Sequence, residues 1–168
     1  MKVAEAVGRA LCAAGVSHVF GVVGSGNFHA TNAMVAAGAR FVAARHEGGA
    51  ATMADAYART SGTVAALSVH QGPGLTNAVT GIAEAAKSRT PLVVTAAEVT
   101  EPRSNFYVDQ EALARAVGAV TARVTSGKDA VEQVCGAVRR AVHERRTVLL
   151  NLPLPVQESE VPDGALAH

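Results

Sequence analysis

Residues 64–96, VAALSVHQGPGLTNAVTGIAEAAKSRTPLVVTA, decide the fold. Val64–His70 is a short run rich in strand formers, and Pro91–Ala96 is another. Between them Leu75–Lys87 has the length of a helix. Strand, helix and strand in this order form the unit from which parallel sheets are built, because parallel neighbours need a crossover of a dozen or more residues.

The same alternation extends in both directions. Upstream, Val3, Ala6, Val7, Ala10 and Leu11 fall at helical spacing and Gly15 follows as a stop. A strand at His18–Gly21, a helix near Asn27–Ala37, a strand at Arg40–Ala43 and a helix from Glu47 to Thr60 complete that half. Downstream, a looser stretch (Glu98–Asp109) precedes a helix near Gln110–Val117 and a strand near Val120–Thr125. A helix at Asp129–Glu144 and a strand at Thr147–Asn151 follow. In the last helix Val131, Val134, Val138, Ala141 and Val142 make one apolar stripe. The expectation is an α/β domain over residues 1–152, a six-stranded parallel sheet with helices on both faces. Residues 153–168 hold Pro153, Pro155 and Pro162 with acidic residues between them and no periodicity. They read as a linker toward a further domain, which makes the chain a piece of something larger.

Composition excludes several classes. At 168 residues with 49% hydrophobic and 17% charged residues, the chain can bury a core without disulfide or metal. Fifteen Lys and Arg against fourteen Asp and Glu are interspersed, and aromatic residues make up 4%, which supplies neither a basic face nor a stacking platform for nucleic acid. Glu5 and Arg9 interrupt what would have to be the apolar core of a signal peptide, and no segment is long enough to span a membrane. Cys12 and Cys135 have no metal-ligand spacing and read as buried thiols of a cytoplasmic protein.

Right-handed crossovers bring every strand-to-helix loop to one edge of the sheet, where ligands of open parallel sheets bind. Gly21-Val22-Val23-Gly24-Ser25-Gly26 follows the first strand, Arg45-His46-Glu47-Gly48-Gly49 the second, and His70-Gln71-Gly72-Pro73-Gly74 with Leu75-Thr76-Asn77 the third. The first loop is G-x-x-G-x-G rather than the G-x-G-x-x-G of dinucleotide sites, and the second strand ends in Ala43-Ala44-Arg45 without the required acid. Glu47 alone could complement the amino end of its helix, and His46, His70 and Glu47 lack metal-ligand spacing. The glycines and alanines after Glu47, however, let the helix press on a neighbour and leave the carboxylate facing a tight, apolar space, which requires a dedicated partner.

These segments resemble a known family. Arg45-His46-Glu47-Gly48-Gly49-Ala50-Ala51-Thr52-Met53-Ala54-Asp55-Ala56-Tyr57-Ala58-Arg59 resembles the RHE-x-GAA-x-x-ADGYAR segment of thiamine-diphosphate enzymes of the acetolactate synthase and benzoylformate decarboxylase group. Gly72–Asn77 resembles their GPG-x-TN loop. Gly15–Gly21, Ser88–Leu92 and Leu150–Pro153 look like family segments in the same order. The resemblance implies the pyrimidine-binding domain of a 2-oxo acid decarboxylase or carboligase.

By that resemblance Glu47 donates a hydrogen bond to a ring nitrogen of the cofactor's aminopyrimidine and so promotes loss of the thiazolium proton. The bound cofactor then accepts the electrons released when a 2-oxo acid loses carbon dioxide. Apolar surroundings would favour the protonated form that Glu47 needs as a donor. Ser25 and His70 line up with the serine and histidine that benzoylformate decarboxylase sets near its substrate, where acetolactate synthases usually carry glycine and threonine. Val23, Gly24, Pro73 and Asn77 fall on cofactor-contacting positions, with Val23 in place of the usual proline. Gln71 and Gln110 fall on the substrate side.

The family's GDG…NN segment, which holds Mg2+ and diphosphate, has no counterpart here, and the single Asp-Gly, Asp163-Gly164, lies in the tail. No metal ligand is therefore assigned. The chain alone is expected neither to hold the cofactor firmly nor to turn over. The expected partner is the diphosphate-binding domain of another subunit or of the missing part of the chain, in a homo-oligomer. A natural small subunit of a split decarboxylase and a non-catalytic domain that kept the fold are the alternatives.

Overall fold

The computed structural model describes residues 1–162. Helix α1 (Val3–Ala13) leads into β1 (His18–Gly21), α2 (Phe28–Ala36), β2 (Arg40–Ala43) and α3 (Glu47–Ser61). Then come β3 (Ala65–Val69), α4 (Pro73–Lys87), β4 (Leu92–Glu98), α5 (Gln110–Ala116) and β5 (Val120–Arg123). The described part closes with α6 (Ala130–His143), β6 (Thr147–Pro153) and α7 (Leu154–Glu158). The six strands lie in the order β2-β1-β3-β4-β6-β5, every neighbouring pair parallel. The expected sheet is therefore present.

The period of two along each strand divides the core. On β4, Val93 joins one apolar cluster while Leu92, Val94 and Ala96 join the other; on β6, Val148, Leu150 and Leu152 oppose Leu149. The first cluster is covered by α1, α2 and α6, the second by α3, α4 and α5. Strands buried on both faces need apolar residues throughout, which is why Ala65–Val69 and Leu92–Glu98 read as runs rather than alternations. Helices α3 and α4 pack closely because Gly81 faces Ala51; a Cβ on Gly81 would stand 2.5 Å from that of Ala51.

Residues 153–161, read as part of a linker, carry regular structure that the sequence did not announce. Pro153 completes β6, Leu154–Glu158 form α7, and Gln157 is buried with its Nε2 donating to the Leu152 carbonyl at 2.9 Å. Lys2 and Glu160 form an antiparallel bridge, the Val161 N–H donates to the Met1 carbonyl, and Val161 joins the first core cluster. A five-residue helix opening on Leu154-Pro155 carries too little periodicity to announce itself. Asp163-Gly164 and the remaining tail lie outside the described residues. Cys12 and Cys135 are free thiols, half-buried rather than buried. No helix among the described residues is long and apolar enough to cross a membrane.

Candidate functional site

The strand order reverses at β1, whose neighbours β2 and β3 lie on opposite sides. Connections there diverge, and the crevice beyond the carboxyl ends of β1 and β3 is where an open parallel sheet binds ligands. The loops after these two strands carry Ser25 and His70. The Ser25 hydroxyl lies 3.3 Å from His70 Nε2, across 45 residues of sequence. His70 Nδ1 lies 3.1 Å from the Gln71 carbonyl, which only accepts, so Nδ1 carries the proton and Nε2 of a neutral ring accepts from Ser25. The His70 ring also tilts against Phe106, centroids 5.6 Å apart. Gly24 is required beside it, because a Cβ there would overlap His70 Cδ2.

Glu47 opens α3 after the short connection from β2, and His46 caps the helix by accepting the Gly48 N–H on Nδ1 at 3.0 Å. Glu47 is half-buried, with Oε2 accepting from Asn77 Nδ2 at 3.0 Å. Asn77 stands one turn into α4, which starts at Pro73 after Gly72 turns the chain at φ 60°. A Cβ built on Gly74 would lie 2.9 Å from His70 Cβ and 3.5 Å from Glu47 Oε1, so His70 and Glu47 flank Gly74. Glu47, Asn77, Pro73, His70, Ser25 and Gly24 thus gather at one edge. The tight apolar enclosure expected around Glu47 is not supplied by this chain: the close packing lies deeper along α3, at Ala51, and the carboxylate itself stands at an open edge beside an amide.

The remaining candidates fall elsewhere. Val23 is 42% exposed on the first loop. Gln71 is buried, its Oε1 has no partner among the described residues, and Gly26 leaves the space it occupies. Gln110 is 2% exposed, its Nε2 donating to Asn151 Oδ1 at 2.8 Å and its Oε1 3.5 Å from the Gly72 N–H. It therefore lies beneath the third loop, supporting Gly72. Among the described residues no group of three His, Cys, Asp or Glu side chains could hold a metal ion.

The sequence did not single out the buried polar residues that join these loops. Asp55, 7% exposed, accepts two hydrogen bonds from Arg59 at 2.9 and 2.6 Å and one from Thr90 at 2.6 Å. The aspartate and arginine of the ADAYAR segment are therefore structural, and the resembling segments around 45–59 and 88–92 touch each other. Asn27, Thr31 and Ser68 form a second network under the first loop. Their signal, a polar residue inside an apolar strand or at a helix entrance, was present without its partner.

The profile of the family described as thiamine pyrophosphate enzyme, N-terminal TPP binding domain, matches residues 1–136. The chain belongs to that family. As such an N-terminal TPP-binding domain it is similar to a sulfoacetaldehyde acetyltransferase of Rhodobacter capsulatus, 30% identical over 172 residues that cover 98% of this chain and 29% of the relative. It is also similar to the acetolactate synthase isozyme 3 large subunit of Escherichia coli, 40% identical over 109 residues, 64% of this chain and 19% of that protein. Among solved structures, the thiamine diphosphate-dependent 4-hydroxybenzoylformate decarboxylase of Rhodococcus jostii RHA1 superposes with a TM-score of 0.86 at 25% identity. That superposition covers 99% of this chain and 33% of the decarboxylase. The TPP-binding domain thus spans about a third or less of the proteins it matches.

Proposed function

We propose that this chain is the pyrimidine-binding half of the active site of a thiamine-diphosphate-dependent 2-oxo acid decarboxylase or carboligase, with Glu47 as the residue that activates the cofactor. The observation that carries the reading is Glu47 in the first turn of α3, one oxygen held by Asn77 and the other beside Gly74, across which His70 stands, near the sheet's switch point. A flat aminopyrimidine suits such an edge. Gly24 and Gly74 make room for the His70 side chain, and Glu47 Oε1 is left to face a ring nitrogen. No group of His, Cys, Asp or Glu among the described residues suits Mg2+, and the metal and the diphosphate it accompanies are assigned to another domain.

When bound, the cofactor supplies an electron sink for the carbon that loses carbon dioxide. Glu47 orients the pyrimidine and exchanges a proton with its ring nitrogen. Asn77 fixes the carboxyl rotamer, and Val23, Gly24 and Pro73 contribute backbone contacts. Ser25 and His70 face the substrate, His70 Nε2 accepting the serine proton and able to relay it. Gln71 and Gln110 shape the substrate side, Gln110 through Gly72. A diphosphate-binding domain, from another subunit of a homo-oligomer or from a longer chain, closes the site and brings Mg2+, in the cytoplasm.

The Ser25–His70 pair supports a benzoylformate decarboxylase-like reaction. Similarity to acetolactate synthase and to an acetyltransferase supports carboligation as the second reading. The test is turnover of 2-oxo acids by the assembly containing this chain, with thiamine diphosphate and Mg2+, as wild type and Glu47→Gln. Turnover that collapses in the variant is expected; equal turnover would support a non-catalytic domain.

A further inference from the structure

Asn27 enters α2 as its cap residue and is 2% exposed. Its side chain makes three hydrogen bonds, two to the first loop and one to β3. Oδ1 accepts from the Gly24 N–H at 2.8 Å, and Nδ2 donates to the Val22 carbonyl at 3.2 Å and to Ser68 Oγ at 3.0 Å. Thr31 Oγ1 donates to the Asn27 carbonyl at 2.7 Å, which spends its only proton. The 2.7 Å contact between the Thr31 and Ser68 hydroxyls must then be a donation from Ser68. The protons close a ring from Asn27 Nδ2 to Ser68, to Thr31 and back to the Asn27 backbone. Each link polarises the next, and at such burial an opened ring strands a polar group.

The ring ties two things together. Ser68 lies on β3 two residues before His70, and Gly24 immediately precedes Ser25. We infer that Asn27 is a positioning residue: through Gly24, Val22 and Ser68 it sets the distance between the Ser25 hydroxyl and His70 Nε2. Its catalytic consequence rests on the proposed reading of Ser25 and His70 as groups facing the substrate; the positioning itself does not. Among the described residues between 21 and 31, Asn27 alone has a side chain that hydrogen-bonds both the first loop and β3. An aspartate at position 27 could accept from Gly24 but would lose both donations, so shape alone does not replace the amide.

The experiment is side-chain 15N NMR of His70 in this chain without cofactor, for wild type, Asn27→Ala, Ser25→Ala and the double variant. Wild type is expected to show a protonated Nδ1 and a bare, hydrogen-bonded Nε2. Asn27→Ala is expected to move the Nε2 resonance in the direction Ser25→Ala moves it, and the double variant to add nothing to Ser25→Ala. A cap that served stability alone would lower the melting temperature and leave the His70 resonance in place, and that result overturns the inference, as does an additive double variant. If Asn27→Ala does not fold, Thr31→Val, which keeps the shape and opens the ring, is read by the same two outcomes. In the catalytic assembly Asn27→Ala is expected to lower kcat by on the order of 10²-fold, as displacements of about 1 Å do, with KM little changed. A moved His70 resonance with unchanged kcat would instead overturn the substrate-facing reading of Ser25 and His70 and leave the positioning intact.

Discussion

Glu47 and Glu98 both stand at the carboxyl edge of the sheet, Glu47 opening α3 and Glu98 ending β4. Glu98 is buried, and its Oε1 accepts from Arg123 Nη2 at 2.6 Å, while Arg123 also reaches Glu111 at 3.0 Å. Burial raises the Glu98 pKa above the usual glutamate value; Arg123 opposes this, and Glu111 and Asp109 add to it. Glu47 is half-buried, and a single amide, from Asn77, reaches its side chain among the described residues. The Glu98 carboxyl, whose second oxygen has no partner among the described residues, is answered within the chain by an arginine, whereas Glu47 at its more open edge is met by a neutral amide. A buried carboxyl needs a cation of its own, as Glu98 has in Arg123; the role proposed for Glu47 toward a ligand rests on its having none among the described residues.

The largest expected effect separates the two. Glu47→Gln should lower turnover of the catalytic assembly by at least about 10²-fold while changing the stability of this chain by no more than about 0.5 kcal/mol. A thermal melt beside the turnover assay checks both halves, and a large loss of stability would make Glu47 a structural residue like Glu98. Asp55 is the control acid, buried and answered internally by Arg59 and Thr90. Asp55→Ala should cost about 2 kcal/mol, a fall in melting temperature of roughly 4–8 °C for a chain of this size. A melt unchanged by that substitution would deny that the network joining α3 to the start of β4 supports the fold.

The smallest effect concerns pH. The folded state holds the Glu98 proton more tightly than the unfolded chain does. Its contribution to stability is therefore fully present below the ordinary glutamate range and is lost as pH rises through the folded-state value. Glu98→Gln should flatten melting temperature against pH in the window just above the ordinary range. Parallel profiles for variant and wild type would contradict the assignment.

The fold was legible because its strands are short apolar runs between amphipathic helices, and the six strand centres fall where that pattern puts them. The edge residues were legible too, since topology alone sends Ser25, Glu47 and His70 to one side. What the sequence hid depends on strand order and register. Asn27 meets Ser68 only because β1 lies beside β3, and Asp55 meets Thr90 only because α3 packs on α4 and the start of β4. Gln110 has a glutamine's usual polarity in the sequence, and only the fold shows it buried beneath Gly72. Helix α7, five residues long with a proline in its first turn, falls below what periodicity can detect.

The most direct test of Glu47 is the rate at which the thiazolium C2 proton of thiamine diphosphate exchanges for deuterium in the catalytic assembly, compared between wild type and Glu47→Gln at saturating cofactor. The account predicts exchange slowed by at least about 10²-fold in the variant with the cofactor still bound. Equal exchange rates would contradict it and remove Glu47 from the activation of the cofactor.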